Sequence, residues 1–264
     1  MIVGIIGCGV IGSEICRALD ADRFQGTVLV MYRHPDRARR LARLLKVKSA
    51  AVPLSDILDR ANLVVECASI EAAREIALNV LTKGTDLMLL SVGALVDNDF
   101  REHVLQAARS HHCNLYVPSG AVGGIDALLA ASQGTIDRVT ITTTKPPASL
   151  HEAPYVVAHH IDVEKSGVIF EGTAHQAIDY FPQNINVAAT LALAGLGFDR
   201  TIVRIAVDTR ITHNIHEVDV EGDFGRFTAR FENIPSSNNR TSKLAAYSAA
   251  AMIHKITDAV KIGT

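Results

Sequence analysis

A glycine-rich turn between an apolar run and a helix-forming run most constrains how this chain can fold. The apolar run Ile2–Ile6 has the length of a buried strand, and the sequence GCGVIG follows it at residues 7–12. Residues 13–19 then have the composition of a helix. A strand, then G-x-G-x-x-G, then a helix is the order that a dinucleotide-binding turn requires.

The three glycines of this turn have different physical tasks. Gly7 permits the tight turn, Gly9 lets the backbone approach a pyrophosphate, and Gly12 lets the helix pack closely on the strand. The free backbone N–H groups at the helix N-terminus can donate to the anion. We therefore predict that Gly7, Gly9, Val10, Ile11 and Gly12 bind a dinucleotide cofactor.

The first 118 residues alternate between predicted strands and predicted helices. The strands are predicted at residues 2–6, 27–32, 62–66, 86–90 and 114–117, with a helix pattern between each pair. Apolar strands that alternate with helices indicate a parallel sheet covered on both faces. We therefore predict an α/β fold with an N-terminal Rossmann dinucleotide-binding domain.

Strands dominate after Pro118. They are predicted at residues 138–144, 167–172, 201–208, 214–221 and 225–232, and the last two pair across a turn. This pattern predicts a second, α+β domain with a mixed sheet, followed by an alanine-rich helix over 241–260 that returns towards the first domain. The predicted domains are therefore 1–118 plus the C-terminal helix 241–262, and 119–240, which we expect to bind the substrate.

Composition excludes several classes of function. The chain of 264 residues is 48% hydrophobic and 20% charged, and its net charge of −2 gives no electrostatic basis for binding nucleic acid or an anionic membrane. The four cysteines are scattered, so we expect neither a metal site nor a disulfide framework. Because Met1 leads directly into a predicted core strand, we expect no signal peptide and a cytoplasmic location.

The residue after the second predicted strand indicates which cofactor is used. An acidic side chain there would bond the ribose 2′-hydroxyl of NAD, whereas this chain has Arg33, with further arginines close behind. Because arginine pairs well with phosphate, the sequence favours NADP over NAD. Asp36 is the nearby residue that could reverse this preference.

Two histidines, His213 and His216, lie near the start of a predicted strand. A histidine can transfer a proton near neutral pH beside a hydride transfer. The spacing alone leaves open whether either residue is catalytic or makes only a structural hydrogen bond.

Six stretches along the chain, in order, resemble the L-aspartate dehydrogenase family. They are GIIGCGVIG at 4–12, SGAVGGID at 119–126, TTTKPP at 142–147, FPQNINVAA at 181–189, NIHE at 214–217 and NNRTS at 238–242. Members of this family oxidise L-aspartate to iminoaspartate with NAD or NADP and supply NAD biosynthesis. The resemblance implies the same activity in this chain. It also implies a Rossmann domain followed by an α+β domain, here 119–240, that forms the contact of a homodimer.

The resemblance also implies roles for particular residues. The active-site histidine of the family falls on His216, and its nicotinamide-side contacts fall on Ala121 and Asn186. The chain departs from the family pattern at Asn239, where proline is usual, and at Arg33, where many members are acidic.

The two carboxylates of the substrate need cationic or N–H partners. The candidates in the sequence are Lys145, Arg210, Lys243, and the helix start at Thr241 and Ser242. Each of them could also be a solvated surface residue.

Two alternatives remain at this stage. A different two-domain dehydrogenase, of the homoserine dehydrogenase or dihydrodipicolinate reductase type, would share the cofactor turn. However, the double-histidine motif of the reductase continues with a lysine and a Gly-Thr turn, which His159-His160 lacks. A non-enzymatic NADP sensor would bind the cofactor but would have no need for an acid–base group.

Overall fold

A computed structural model describes residues 1–21, 24–181, 185–234 and 241–263, with Ile185 described by its backbone alone. Contacts between residues divide the chain into two units. The first unit contains Met1–Pro118 and Ala245–Asp258, and the second contains Ser119–Leu244 with the last residues of the chain.

The first unit is built on a parallel sheet. In chain order its elements are β1 (Ile2–Ile6), α1 (Val10–Ala21), β2 (Thr27–Met31), α2 (Pro35–Leu44), β3 (Lys48–Ala51), α3 (Leu54–Arg60), β4 (Leu63–Glu66), α4 (Ile70–Leu81), β5 (Asp86–Leu89), α5 (Asn98–Ser110) and β6 (Leu115–Tyr116). The strand order is β3-β2-β1-β4-β5-β6, and all neighbours are parallel. This order confirms the predicted Rossmann sheet.

The strand order reverses at β1, and this determines where a ligand can bind. The chain runs from β1 outward through β2 to β3, and then returns to the other side of β1 with β4. In open α/β sheets, a ligand binds outside the carboxyl ends of the strands at such a switch point. The GCGVIG turn leaves β1 at this point.

The second unit contains a mixed sheet. Its elements are α6 (Ile125–Ala131), β7 (Ile136–Lys145), α7 (Pro154–Ala158), β8 (Gly167–Thr173), α8 (Ala174–Tyr180), α9 (Ile185–Ala194), β9 (Thr201–Val207), β10 (Ile215–Gly222) and β11 (Gly225–Glu232). The strand order is β11-β10-β7-β9-β8. β7 and β9 are parallel and the other neighbours are antiparallel, so the predicted mixed sheet is confirmed.

The last helix, α10 (Lys243–Thr257), packs on the first unit. Ala246, Ala249 and Ile253 lie on one face of the helix and belong to the same buried core as Val3 and Ile15. Small alanine side chains at this spacing allow the helix to pack closely.

The structure differs from the predictions at two elements. β3 was not predicted, because its sequence KSAA contains no large apolar or β-branched residue. The helix predicted over 241–260 is observed only at Lys243–Thr257. Beyond its end, Val260 and Ile262 are exposed, so no buried contact there favours a longer helix. Within the described ranges, no helix has both the length and the apolar character needed to cross a membrane.

Candidate active site

The turn after β1 has the geometry that a pyrophosphate requires. Gly7 has a φ of +108°, and a Cβ atom there would lie 2.7 Å from the carbonyl oxygen of Cys67. A Cβ atom on Gly12 would overlap the carbonyl oxygen of Gly7. By contrast, nothing lies within 4 Å of the position that a Cβ atom of Gly9 would occupy. The turn is therefore tightly packed at Gly7 and Gly12 and open at Gly9.

The helix that follows supplies hydrogen-bond donors at this opening. α1 begins at Val10, so the backbone N–H groups of Val10, Ile11 and Gly12 have no partner within the helix. They also lie at the positive end of the helix dipole. These donors, together with the open space at Gly9, fit the pyrophosphate of a dinucleotide.

Several charged side chains follow β2, where the adenosine ribose is expected. Arg33 is exposed, and no ion pair joins it to another described residue. Arg37 lies over the ring of Tyr32, 5.5 Å from its centroid, and donates to its hydroxyl at 3.3 Å. Asp36 accepts from Arg39 at 2.7 Å. Asp36, three positions after Arg33 in the sequence, is therefore paired with an arginine.

A buried carboxylate lies at the carboxyl end of β4. Glu66 accepts backbone N–H groups from Ala68 at 2.7 Å, Ser69 at 3.0 Å and Ser91 at 3.1 Å, and the Ser91 hydroxyl donates to it at 3.0 Å. Burial raises the pKa of Glu66 above its ordinary value, and the hydrogen bonds partly oppose that shift. Glu66 thus links the loops that follow β4 and β5.

In the second unit, the buried face of the sheet changes from apolar to polar along β7. Val139 and Ile141 are buried on this face, and Thr143 and Lys145 continue it at the end of the strand. His216 of β10 lies directly opposite Thr143 and is also buried. Three polar side chains are therefore enclosed at one end of an otherwise apolar layer.

The imidazole of His216 is held in place by a hydrogen bond. Its Nδ1 atom lies 2.9 Å from Thr143 Oγ1. Burial, together with the positive charge of Lys145, lowers the pKa of His216 to about 4. His216 is therefore neutral at physiological pH, which leaves one ring nitrogen with a lone pair. No described residue makes a hydrogen bond to Nε2.

Lys145 is a buried cation that forms no ion pair within the described part of the chain. Its exposed fraction is 4%, and no hydrogen bond or ion pair joins its side chain to any described residue. Burial lowers the pKa of Lys145 to about 8. Because burying an unpaired charge is unfavourable, an anion placed beside this ammonium group would be stabilised by it.

A second buried polar link joins two of the predicted site residues. Asn233 Nδ2 donates to the carbonyl oxygen of Ala121 at 2.9 Å, and Asn233 Oδ1 accepts from the hydroxyl of Ser242 at 2.9 Å. Ser242 also accepts the backbone N–H of Leu244 at 3.1 Å and so caps the first turn of α10. Ala121 and Ser242 are therefore brought together through one amide side chain.

The remaining predicted residues lie elsewhere. Asn186 is exposed in the first turn of α9 and Thr241 is half-buried just before α10. His213 precedes β10, and its Nε2 atom lies 3.7 Å from Glu232. Arg210 is exposed and donates twice to Asp208. Asn239, where the family pattern has proline, lies outside the described residues.

Reasoning from the sequence missed Glu66, Thr143 and Asn233. The only local sign of Glu66 is a carboxylate that ends the apolar run NLVVE, directly before three small residues. Thr143 and Asn233 carry no local sign. Thr143 bonds to a residue 73 positions away, and Asn233 joins one residue 112 positions away to another nine positions away. Over the described ranges, no group of three or more His, Cys, Asp and Glu side chains could hold a metal ion.

Comparison with known families assigns a match to each half of the chain. A family model described as the NAD-binding domain of homoserine dehydrogenase matches residues 7–118. A second model, described as the C-terminal domain of aspartate dehydrogenase, matches residues 126–256. The cofactor domain is thus of a type shared among dehydrogenases, whereas the second match is specific to one of them.

Whole-length relatives agree with the second match. The L-aspartate dehydrogenase of Methanosarcina mazei is 46% identical over 268 residues and covers 99% of both chains. That of Methanothermobacter thermautotrophicus is 39% identical over 267 residues, covering 100% of this chain and 99% of the relative.

Solved structures show the same pattern. Aspartate dehydrogenase from Thermotoga maritima is 30% identical with a TM-score of 0.78, covering 100% of this chain and 99% of that one. A hyperthermophilic archaeal homoserine dehydrogenase in complex with NADPH has a TM-score of 0.60 and 11% identity, covering 97% of both chains. At that identity the second structure is evidence for the fold alone.

Proposed function

The chain belongs to the L-aspartate dehydrogenase family, and we propose that it oxidises L-aspartate to iminoaspartate with NAD or NADP. The observation that carries this proposal is a buried pair: Lys145, a cation with no counter-ion among the described residues, and His216, a neutral base. A dicarboxylate amino acid supplies an anion for the first and a proton for the second.

The cofactor is bound by the turn after β1. Gly7, Gly9 and Gly12 shape the turn, and the backbone N–H groups of Val10 and Ile11 donate to the pyrophosphate. A nicotinamide cofactor held there would supply an acceptor for the Cα hydrogen of the substrate, which leaves as a hydride. From the family resemblance, Ala121 and Asn186 contact the nicotinamide side of the cofactor.

Lys145 binds a carboxylate of the substrate. Its ammonium group is enclosed and has no counter-ion among the described residues, so a bound carboxylate would make a strong, charge-assisted hydrogen bond. Thr241, just before α10, is a candidate partner for the other carboxylate of the substrate. Ser242 is a second candidate, and its hydroxyl group donates to Asn233 and accepts the backbone N–H of Leu244.

His216 takes a proton from the substrate amine. Nδ1 and Thr143 Oγ1 share a hydrogen bond, and in the tautomer with the proton on Nδ1 the lone pair of Nε2 can take the proton of the amine. Without substrate, the positive charge of Lys145 opposes protonation of His216. A carboxylate paired with Lys145 offsets that charge, so substrate binding makes His216 a stronger base.

Four finer points extend this proposal. We infer a preference for NADP, because Arg33 is an exposed cation and Asp36 is occupied by Arg39. From the family resemblance we infer a homodimer, a cytoplasmic location, and a role in supplying NAD biosynthesis.

The test is the absorbance of the reduced nicotinamide. Purified protein is mixed with L-aspartate and NADP or NAD, and in reverse with oxaloacetate, ammonia and each reduced cofactor. We expect aspartate-dependent reduction that is faster with NADP. Reduction that is faster with NAD would support the proposed oxidation of L-aspartate, but it would reject the preference for NADP that we infer from Arg33. Cofactor binding without turnover of aspartate would reject the proposed reaction, and L-homoserine is the control substrate that tests the related dehydrogenase.

A further inference from the structure

Glu66 is a buried carboxylate of the first unit that has no role in the proposed reaction. It is fully buried at the last position of β4, and its carboxylate accepts four hydrogen bonds from two different loops. Three donors meet at Oε1, from Ala68, Ser69 and the Ser91 hydroxyl, and the backbone N–H of Ser91 meets Oε2.

Both loops lie at the carboxyl ends of the strands, the end of the sheet at which we expect the cofactor to bind. They follow the carboxyl ends of β4 and β5, on the side of β1 opposite β2. In a sheet of this order, the adenosine half of a dinucleotide lies over the β1–β2 side, and the other half lies over the β4–β5 side. Glu66 therefore lies beneath the expected position of the nicotinamide half.

The loop after β4 also contacts the glycine turn directly. A Cβ atom on Gly7 would lie 2.7 Å from Cys67 O and 2.9 Å from Ala68 N. The same Ala68 N–H donates to Glu66, and the next residue, Ser69, caps α4 by accepting from Ala72 N. The peptide that packs against the pyrophosphate turn is thus held by the Glu66 carboxylate.

We propose that Glu66 is a positioning residue that holds the loops after β4 and β5 in the shape that binds the nicotinamide half of the cofactor. It acts through the backbone of Ala68, Ser69 and Ser91, and it makes no contact with substrate. This inference extends the proposed function, but it concerns cofactor binding and not the identity of the substrate.

The chain offers a matched control at the amino ends of the strands of the same sheet. Asp86 begins β5, and its carboxylate accepts from the backbone N–H of Asn114 at 2.7 Å and from the Asn114 side chain at 3.2 Å. It therefore links two segments of the unit as Glu66 does, but at the amino ends of the strands. Asp86→Asn reports what the loss of such a carboxylate does to stability alone.

Three variants test the proposal. In Glu66→Gln the remaining carbonyl can keep the donors at Oε1, but the new amide opposes the N–H of Ser91. Ser91→Ala removes only the hydroxyl donor and serves as the milder variant. We expect NADPH to bind about 10-fold more weakly to Glu66→Gln and about 3-fold more weakly to Ser91→Ala. Asp86→Asn should bind NADPH like the wild type while lowering the melting temperature.

The measurement is the fluorescence of NADPH titrated with each variant in the absence of aspartate. Adenosine 2′,5′-bisphosphate, which carries only the adenosine half, is measured by competition and should bind all variants equally. If the wild type prefers NADH, then NADH and AMP replace this pair. With aspartate present, the KM for the cofactor should rise in Glu66→Gln while kcat stays within about twofold.

Two results would overturn the proposal. One is unchanged NADPH binding in folded Glu66→Gln and Ser91→Ala, and the other is an equal loss for NADPH and for the adenosine fragment. Because binding is measured without aspartate, either result is separable from a failure of the wild type to oxidise aspartate.

Discussion

The glycine turn of the first unit and the pair of Lys145 and His216 in the second unit are built in opposite ways. The turn binds through backbone N–H groups and through the absence of side chains, all within residues 7–12. The pair depends on two side chains that come from different strands, β7 and β10. Both side chains are buried in the second unit.

The two regions also differ in their electrostatics. The turn presents the positive end of a helix dipole, which does not depend on pH. Its one titratable side chain, Cys8, has a pKa that burial raises to about 11. In the second unit, burial lowers the pKa values of Lys145 and His216 to about 8 and about 4. The first region is suited to binding a fixed anion, and the second to exchanging a proton.

His216→Ala should break the second region while leaving the first intact. We expect kcat to fall about 10²–10⁴-fold, because a positioned acid–base group contributes that much to proton transfer. The dissociation constant of NADPH should not change. His213→Ala is the control, since His213 precedes β10 and is partly exposed. An unchanged kcat in His216→Ala would remove this histidine from the reaction.

Lys145→Met should weaken substrate binding more than cofactor binding. The substitution keeps the length of the side chain but removes the charge that we pair with a carboxylate. We expect the KM for L-aspartate to rise about 10–100-fold, as for the loss of one charge-assisted hydrogen bond. Arg210→Met is the matched control, because its guanidinium is exposed and already paired with Asp208. Equal effects of the two substitutions would contradict the assignment of Lys145.

Gly9→Ala and Gly12→Ala should separate binding from folding within the turn itself. A methyl group on Gly9 meets open space, so we expect normal stability and NADPH binding weakened about 10–100-fold. A methyl group on Gly12 overlaps the Gly7 carbonyl, so we expect a loss of about 1–3 kcal/mol in the free energy of unfolding. Urea unfolding and NADPH fluorescence measure the two effects. Tight NADPH binding by Gly9→Ala would place the pyrophosphate elsewhere.

The contrast explains how much of the chain could be predicted from its sequence. β1, β2, β4 and β5 were predictable because they are short apolar runs, and β7 because its residues alternate. β3, with the sequence KSAA, has neither signal and is defined by pairing with β2. The glycine turn was predictable because all of its parts are neighbours in sequence. His216 and Lys145 could be named as candidates, but residue spacing did not indicate that they lie together.

That difference has a physical cause. A backbone site depends on local conformation, which glycine and helix-start signals encode directly. A side-chain site depends on sheet register, which is set by packing over the whole strand. The pairing of His216 with Thr143 follows from the register of β10 on β7, and it joins residues 73 positions apart.

The pH dependence of stability tests whether His216 is buried as a neutral base. The native pKa of about 4 lies below the ordinary 6.5, so the unfolded chain takes up a proton first as the pH falls. The free energy of unfolding therefore decreases as the pH falls below about 6.5. The contribution of His216 to this decrease is about 2 kcal/mol between pH 7 and pH 5. His216→Gln should lack this part of the loss. Urea unfolding at the two pH values gives the comparison, and parallel losses in both proteins would show that His216 is not buried as a neutral base.

The smallest expected effect concerns the cofactor preference at the end of β2. Arg33→Ser removes the exposed cation that we pair with a 2′-phosphate, so the ratio of kcat/KM for NADP to that for NAD should fall about 10-fold. Arg40→Ser is the control, because Arg40 lies in α2 and is exposed. A ratio that changes equally in both variants would indicate a diffuse effect of positive charge. A ratio that changes in neither variant would mean that the first unit binds the cofactor through its backbone alone, without a side chain that distinguishes NADP from NAD. The contrast between the two regions would then be sharper than we propose.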